Sequence, residues 1–212
     1  EIVHHIADRE GLHILTGDGH TVSGIYFDGK QAGEYAGLIP VVGNTANITN
    51  LTVADSHIKA NKGLAGAVAG AIADKCSKLV KFSAVTIDDS VKFEGDAKFG
   101  GMIGQVGYSV VKITDCISKT NGFFHSVTGE AKVYRSVSVG AYPFATTERV
   151  KAENVYTDTD ANMSFEGVQV VPSDAMLGAG AASSMPGLNF PTSWKTTTSS
   201  YPVPTGAAAS AE

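Results

Sequence analysis

Basic residues never cluster in this 212-residue chain: sixteen Lys and Arg are scattered among twenty-one Asp and Glu, for a net charge of −5. A nucleic acid or an anionic membrane surface needs a concentrated cationic footprint, so neither is an expected partner. A membrane span needs about 20 consecutive apolar residues. The most hydrophobic stretch, "GLAGAVAGAIA" from Gly63 to Ala73, meets Asp74 and Lys75 too soon for that, and no membrane insertion is expected. Two cysteines, Cys76 and Cys116, are too few for a disulfide scaffold; whether they pair is left open. Helical periodicity is missing as well, since no segment sustains a 3.6-residue apolar repeat over three turns.

What the chain does have is a repeat. "AGLIPVVG" (Ala36 to Gly43), the Gly63 to Ala73 run and "FGGMIGQVG" (Phe99 to Gly107) share a Gly/apolar/small-residue pattern, with weaker copies in "GFFHSVTG" (Gly122 to Gly129) and "AYPFATT" (Ala141 to Thr147). Aligning Leu38, Leu64, Met102, Phe123 and Pro143 gives steps of 26, 38, 21 and 20 residues. After each copy comes a short element rich in Val, Ile, Thr and Phe, as in "NITNLTVADSHI" and "KLVKFSAVTIDD", the composition of strands. The pattern predicts an all-β, parallel β-helix (a β-solenoid) of about six coils with loop insertions, since one coil cannot bury its own apolar side chains and stacking can. The glycines then supply corners and close backbone approach, so Gly63 to Ala73 reads as strand and corner. "DDSVKFEGDAKF" (Asp88 to Phe99) reads as a polar surface insertion, with Asp88, Asp89, Glu94 and Asp96 on a solvated face.

Gly37-Leu38-Ile39, Gly63-Leu64-Ala65-Gly66 and Gly101-Met102-Ile103-Gly104 resemble the GLUG repeat, named for Gly-Leu-apolar-Gly. "TGDGHTVSGIYFDGK" (Thr16 to Lys30) resembles the lead-in to such repeats, and Gly187 to Gly206, with Trp194 and Tyr201-Pro202, resembles their closing segment. The match covers roughly residues 12 to 206. Only Gly63 to Gly66 is a complete copy; Pro40 replaces the second Gly of the first. The resemblance implies a right-handed parallel β-helix in a bacterial secreted or cell-surface protein, since the family includes adhesins and N-terminal regions of IgA-cleaving metallopeptidases. It implies no single activity.

Catalytic and metal-binding patterns are sought without success. No H-E-x-x-H or G-x-S-x-G occurs. Asp18 and His20 in "TGDGH" read as turn chemistry. Asp158, Asp160 and Asn162 begin like a calcium loop, but Met163 and Gln169 stand where Gly and Glu are required. No catalytic residue, metal or cofactor is expected. Arg135 is expected beside Asp115 and Asn154 on successive coils, as a charge ladder that holds the stack. Tyr108, Tyr134 and Tyr142 are the candidate ligand-binding residues, as aromatic platforms for sugar rings.

The expected organisation is one β-helix domain over residues 1–195, capping segments included, and a Ser/Thr/Pro/Ala-rich tail or linker over 196–212. The expected function is a non-enzymatic structural or adhesive module at the bacterial surface or outside the cell. Its partners would be a glycan or a host or bacterial surface protein, together with further domains of the same polypeptide. The alternative is a carbohydrate-active β-helix enzyme, a polysaccharide lyase or glycoside hydrolase, which would need convergent carboxylates in a groove.

Overall fold

The computed structural model describes residues 5–7, 13–28, 35–43, 45–74, 79–146, 148–160 and 165–206. Strands dominate and helix is minor, limited to short pieces between Ser173 and Leu188. Among the described residues no helix is long and apolar enough to cross a membrane.

Side-chain alternation sets how each strand lies. In Val80–Ile87, Val80, Phe82, Val85 and Ile87 are fully buried, whereas Lys81, Ser83 and Thr86 are partly exposed. The alternation breaks at Ala84, whose φ is +54°. Successive strands break at the equivalent place: Asn50 (+51°), Asp115 (+53°), Arg135 (+46°) and Asn154 (+55°). A left-handed residue bends the strand, so inward-facing side chains occur on both sides of a corner. Asn and Asp tolerate that conformation best among non-glycine residues; Ala84 and Arg135 hold it at roughly 1–2 kcal/mol each.

Each bend leaves backbone groups to satisfy, and small polar side chains inside the corner do so. The Ser136 hydroxyl donates to Tyr134 C=O (2.7 Å) and accepts the Cys116 N–H (3.1 Å). One layer up, the Cys116 thiol donates to Thr114 C=O (3.3 Å) and accepts the Val85 N–H (3.4 Å). Cys116 is therefore a structural residue, and burial pushes its thiol up to about 12. Cys76 lies outside the described residues.

The strands stack in parallel register. Leu15, Ile48, Phe82, Ile113, Val133 and Ala152 form one column of the main sheet, all but the partly buried Ala152 within the core. Three smaller parallel sheets line the same core. One holds Ile39–Val42, Ala69–Ile72, Ile103–Val106 and Phe124–Val127. The second holds Tyr26–Asp28, His57–Lys59 and Lys92–Glu94, and the third Tyr35–Ala36, Leu64–Ala65 and Lys98–Phe99.

This corrects the expectation of a right-handed β-helix of about six coils. The main sheet has twelve strands, parallel except for His5–Ala7, in a nearly closed barrel, accompanied by four small sheets. A regular β-helix would carry every face through every turn. Here the passes are unequal: from Ile48 to Phe82 and Ile113 the chain takes 34 and 31 residues, and thereafter to Val133 and Ala152 only 20 and 19. The shorter passes lack the residues to extend the two three-stranded sheets, which end at Lys92–Glu94 and Lys98–Phe99. The stretch from Asp88 to Phe99 is accordingly no simple surface insertion: it supplies the last strand of each, and Phe93 packs against the core.

The Gly63 to Ala73 run is strand, corner and strand. Gly63 (φ +77°) turns the chain into Leu64–Ala65, and Ala69–Ile72 follows with every residue buried. A Cβ on Gly66 would lie 2.5 Å from Ala69 O and 2.7 Å from both Gly104 N and Met102 O. Close backbone approach, not flexibility, requires glycine there. The repeat alignment shifts at this point. Backbone bonds run from Leu38 N–H to Ala67 C=O, Val68 to Met102, Met102 to Phe123 and Phe123 to Pro143. Val68 thus occupies the place expected for Leu64, which pairs instead with Tyr35 and Lys98. Gly37 and Gly101 are buried beside these bonds, and Gly104 packs against the backbone of Gly70 and Ala65.

A second core lies on the other side of the strands that follow the corner. Ile117, Val137 and Tyr156 are in register and are covered by Met176, Ala181, Met185, Leu188 and Trp194. Tyr156 Oη accepts the Gly187 N–H (2.9 Å). Residues 196–206, expected as part of a tail, continue this cover: Val203–Pro204 pairs antiparallel with Trp194–Lys195, and Gly206 abuts the Asn50 side chain.

Candidate ligand-binding face

The same register that buries Ile48, Phe82, Ile113 and Val133 sets their preceding neighbours in a second column. Asn47, Lys81, Lys112, Lys132 and Lys151 are consecutive partners across five strands. At about 4.8 Å per strand, the four lysines span about 14 Å. The next column along the strands reads Thr49, Ser83, Thr114, Tyr134 and Glu153. Past the bend, Asp115 and Arg135 follow, and there the closing segment borders the sheet through Ser193 and Gly206. Two adjoining clefts share Lys112, Thr114 and Arg135. They form a shallow trough across the strands, between the lysine column and the closing segment.

Ion pairs tie the layers of this face together. Arg135 grips Asp115 with two bonds, Nε to Oδ1 (3.0 Å) and an η-nitrogen to Oδ2 (2.9 Å). The Trp194 indole N–H donates to the same Oδ1 (3.1 Å). The expected Arg135–Asp115 ladder is present, and the Arg135 N–H also donates to Glu153 C=O beside Asn154. Lys151 Nζ lies 2.9 Å from Glu130 Oε1, with Lys132 Nζ at 3.8 Å from the same atom. The Lys151 hydrogen bond, followed by the charges of both lysines, holds the Glu130 carboxyl below its ordinary value. Among the described residues three buried side-chain oxygens have no hydrogen-bond partner of good geometry: Glu130 Oε1, which has the two lysine ammonium groups as ion-pair neighbours, and Asn47 Oδ1 and Thr114 Oγ1, both on residues that line the trough.

Elsewhere the carboxylates are engaged in the same way. Lys119 Nζ donates to Asp88 Oδ2 and Ser90 Oγ to Oδ1 (both 2.9 Å). Burial alone would raise the Asp88 carboxyl, but these donors outweigh it and hold it well below the carboxylate range. Glu94 pairs with Lys59 and with His57 (2.9 Å), and the Lys59 bond leads in lowering its carboxyl. Among the described residues no group of three or more His, Cys, Asp and Glu is arranged to hold a metal ion. Asn162, from the calcium-loop comparison, lies outside them.

The three candidate tyrosines fall in three settings. Tyr134 is in the trough, with Lys112 Nζ 5.7 Å from its ring centre. Tyr108 is 64% exposed on the turn before Val110–Thr114, its N–H bonded to Asp74 Oδ1 (2.9 Å). Tyr142 is partly buried against the core, edge-on to Phe144 (6.4 Å); burial and the charge of Asp160 raise its hydroxyl above the ordinary value. Phe123, Phe124 and Phe144 belong to the core, with Phe124 and Phe144 stacked at 5.2 Å. Of the three, Tyr134 alone lines the trough, beside a lysine column that has no counterpart among the sequence-based candidates. Comparison of the chain with protein-family models, with curated proteins and with solved structures finds no match.

Proposed function

We propose that this chain is a rigid, non-enzymatic binding module of a bacterial secreted or cell-surface protein, joined to further domains of the same polypeptide and carrying a glycan or surface-protein partner on the outer face of its main sheet. The surface location rests on the resemblance of its glycine motifs to GLUG repeats. One observation supports the non-enzymatic part of this reading: the lysine partners of three carboxylates. A glycosidase general acid must hold its proton near neutral pH, which requires a raised carboxyl. Asp88, Glu94 and Glu130 are all shifted the other way, by lysine partners that link one strand to another. Acids locked in this manner brace a scaffold and leave its face free to bind.

The test is to expose the chain to an array of host and bacterial glycans and to follow the same glycans for chain cleavage. Retention without new reducing ends or unsaturated products is the expected result. Turnover that disappears on replacing Glu130 or Glu153 with Gln would overturn the reading in favour of a carbohydrate-active enzyme.

A further inference from the structure

We infer that the trough between the lysine column and the closing segment is a binding site for an acidic polysaccharide, one bearing carboxylates and free hydroxyls along its length and laid across the strands. The inference rests on the binding-module reading above and names its ligand class.

Three features converge on that chemistry. The first is charge: Lys81, Lys112, Lys132, Lys151 and Arg135 gather on one face of a chain whose overall charge is −5, with Asp115, Glu130 and Glu153 among them. The cations recur at the strand spacing, so a linear polyanion crossing the strands meets one per layer over about 14 Å. The second is hydrogen bonding. Thr114 is only 6% exposed, yet its Oγ1 has no partner, and Asn47 Oδ1 is likewise unmatched. A buried polar atom left unpaired costs free energy that a ligand can recover. Asn47 Oδ1 accepts hydrogen bonds and cannot donate them. The cleft beside both residues has room for about one water molecule, so a ligand hydroxyl, or a water carried by one, completes them. Bare carboxylates can accept from the Thr114 hydroxyl but offer Asn47 Oδ1 nothing. The ligand must therefore bring hydrogen-bond donors as well as negative charge, and a saccharide acid carries hydroxyls and carboxylates on the same rings.

The third feature is Tyr134. Its ring lies in the trough within cation–π distance of Lys112, the amphipathic surface against which sugar rings pack. Each good cation or aromatic contact in a solvent-open groove contributes modestly, so affinity arises from several layers acting together on one continuous chain.

The test is titration calorimetry of the full 212-residue chain at low salt with polygalacturonate, and in parallel with dextran, poly-glutamate and single-stranded DNA. Binding of polygalacturonate alone, weakening steeply between low and physiological salt, is expected. Replacing Lys112 and Lys132 together with Gln should weaken it about tenfold, as should Thr114→Val with Tyr134→Ala; Lys62→Ala, on a turn away from the trough, should leave it unchanged. Unchanged melting curves for the variants separate lost contacts from lost folding. Poly-glutamate or DNA binding as tightly as polygalacturonate would overturn the saccharide assignment, as would polygalacturonate binding that survives the trough variants. Binding of dextran or another neutral glycan, indifferent to those variants, would overturn the trough while leaving the binding-module reading standing. Absence of any polygalacturonate binding at low salt would also overturn the inference.

Discussion

The two sides of this molecule are built from the same passes of chain and end up with opposite characters. On the side holding Ala69–Ile72 and Ile103–Val106, glycine and alanine let one layer's backbone touch the next, and burial is nearly complete. On the side holding Val80–Ile87 and Val110–Thr114, the layers keep full side chains on both faces, Phe82 and Ile113 inside, Lys81 and Lys112 outside. Where backbone meets backbone, no room remains for recognition. Where side chains separate the core from solvent, the parallel register repeats one chemistry at every layer. The difference teaches that the glycine motifs specify the shape of the stack, while the strands opposite them carry whatever the stack presents.

The largest effect is expected from the tight side. Gly66→Ala should destabilise the chain by about 3 kcal/mol in urea unfolding, because its methyl meets three backbone atoms that have nowhere to go. Tolerance of that methyl would remove the contrast between the sides. Next comes the corner of the open side. Asp115→Ala strips partners from Arg135 and Trp194 and should cost about 2–3 kcal/mol, somewhat less than breaking a fully buried pair because the Arg135 side chain is 29% exposed. Ser136→Ala, which leaves the buried Cys116 N–H without its acceptor, should cost about 1–2 kcal/mol.

A pH scan sharpens the comparison further. Asp88, Glu94 and Glu130 have folded-state values below their unfolded ones, so their ion pairs contribute in full above the unfolded range near about 4 and are lost as pH falls through the folded values. The melting temperature should therefore drop as pH is lowered below about 4, and Asp88→Asn should flatten that drop. An unchanged acid profile in the variant would assign the loss to other carboxylates. The smallest effect belongs to Lys151→Ala, an exposed partner whose removal should leave the urea-unfolding midpoint essentially unchanged.

Much of the tight side was legible in the sequence, because a run of Gly and Ala admits few uses once a membrane span and a helix are set aside. The 20-residue separation of Asp115 and Arg135 likewise announced their contact, since it equals the length of a short pass. The regular β-helix was not borne out, and the reason is visible in the passes themselves: passes of 34, 31, 20 and 19 residues cannot repeat every face. The same irregularity hid the lysine column. Lys81, Lys112, Lys132 and Lys151 look scattered when read along the chain and become neighbours only through register. It also placed Leu64 four residues out of step, a shift the complete Gly63 to Gly66 motif disguised. Trp194, 79 residues from Asp115, has no local signal for its contact; the resemblance to a closing segment drew notice to it but not to its partner.

The most direct test of the account is to map a short oligogalacturonate onto the isotope-labelled chain by amide chemical-shift changes. The account predicts that the shifts gather at Lys81–Ser83, Lys112–Thr114, Lys132–Arg135 and the closing segment around Ser193 and Gly206, with the glycine side silent. Shifts centred on Gly66, Gly70 and Gly104, or no shifts at any ligand concentration, would contradict it.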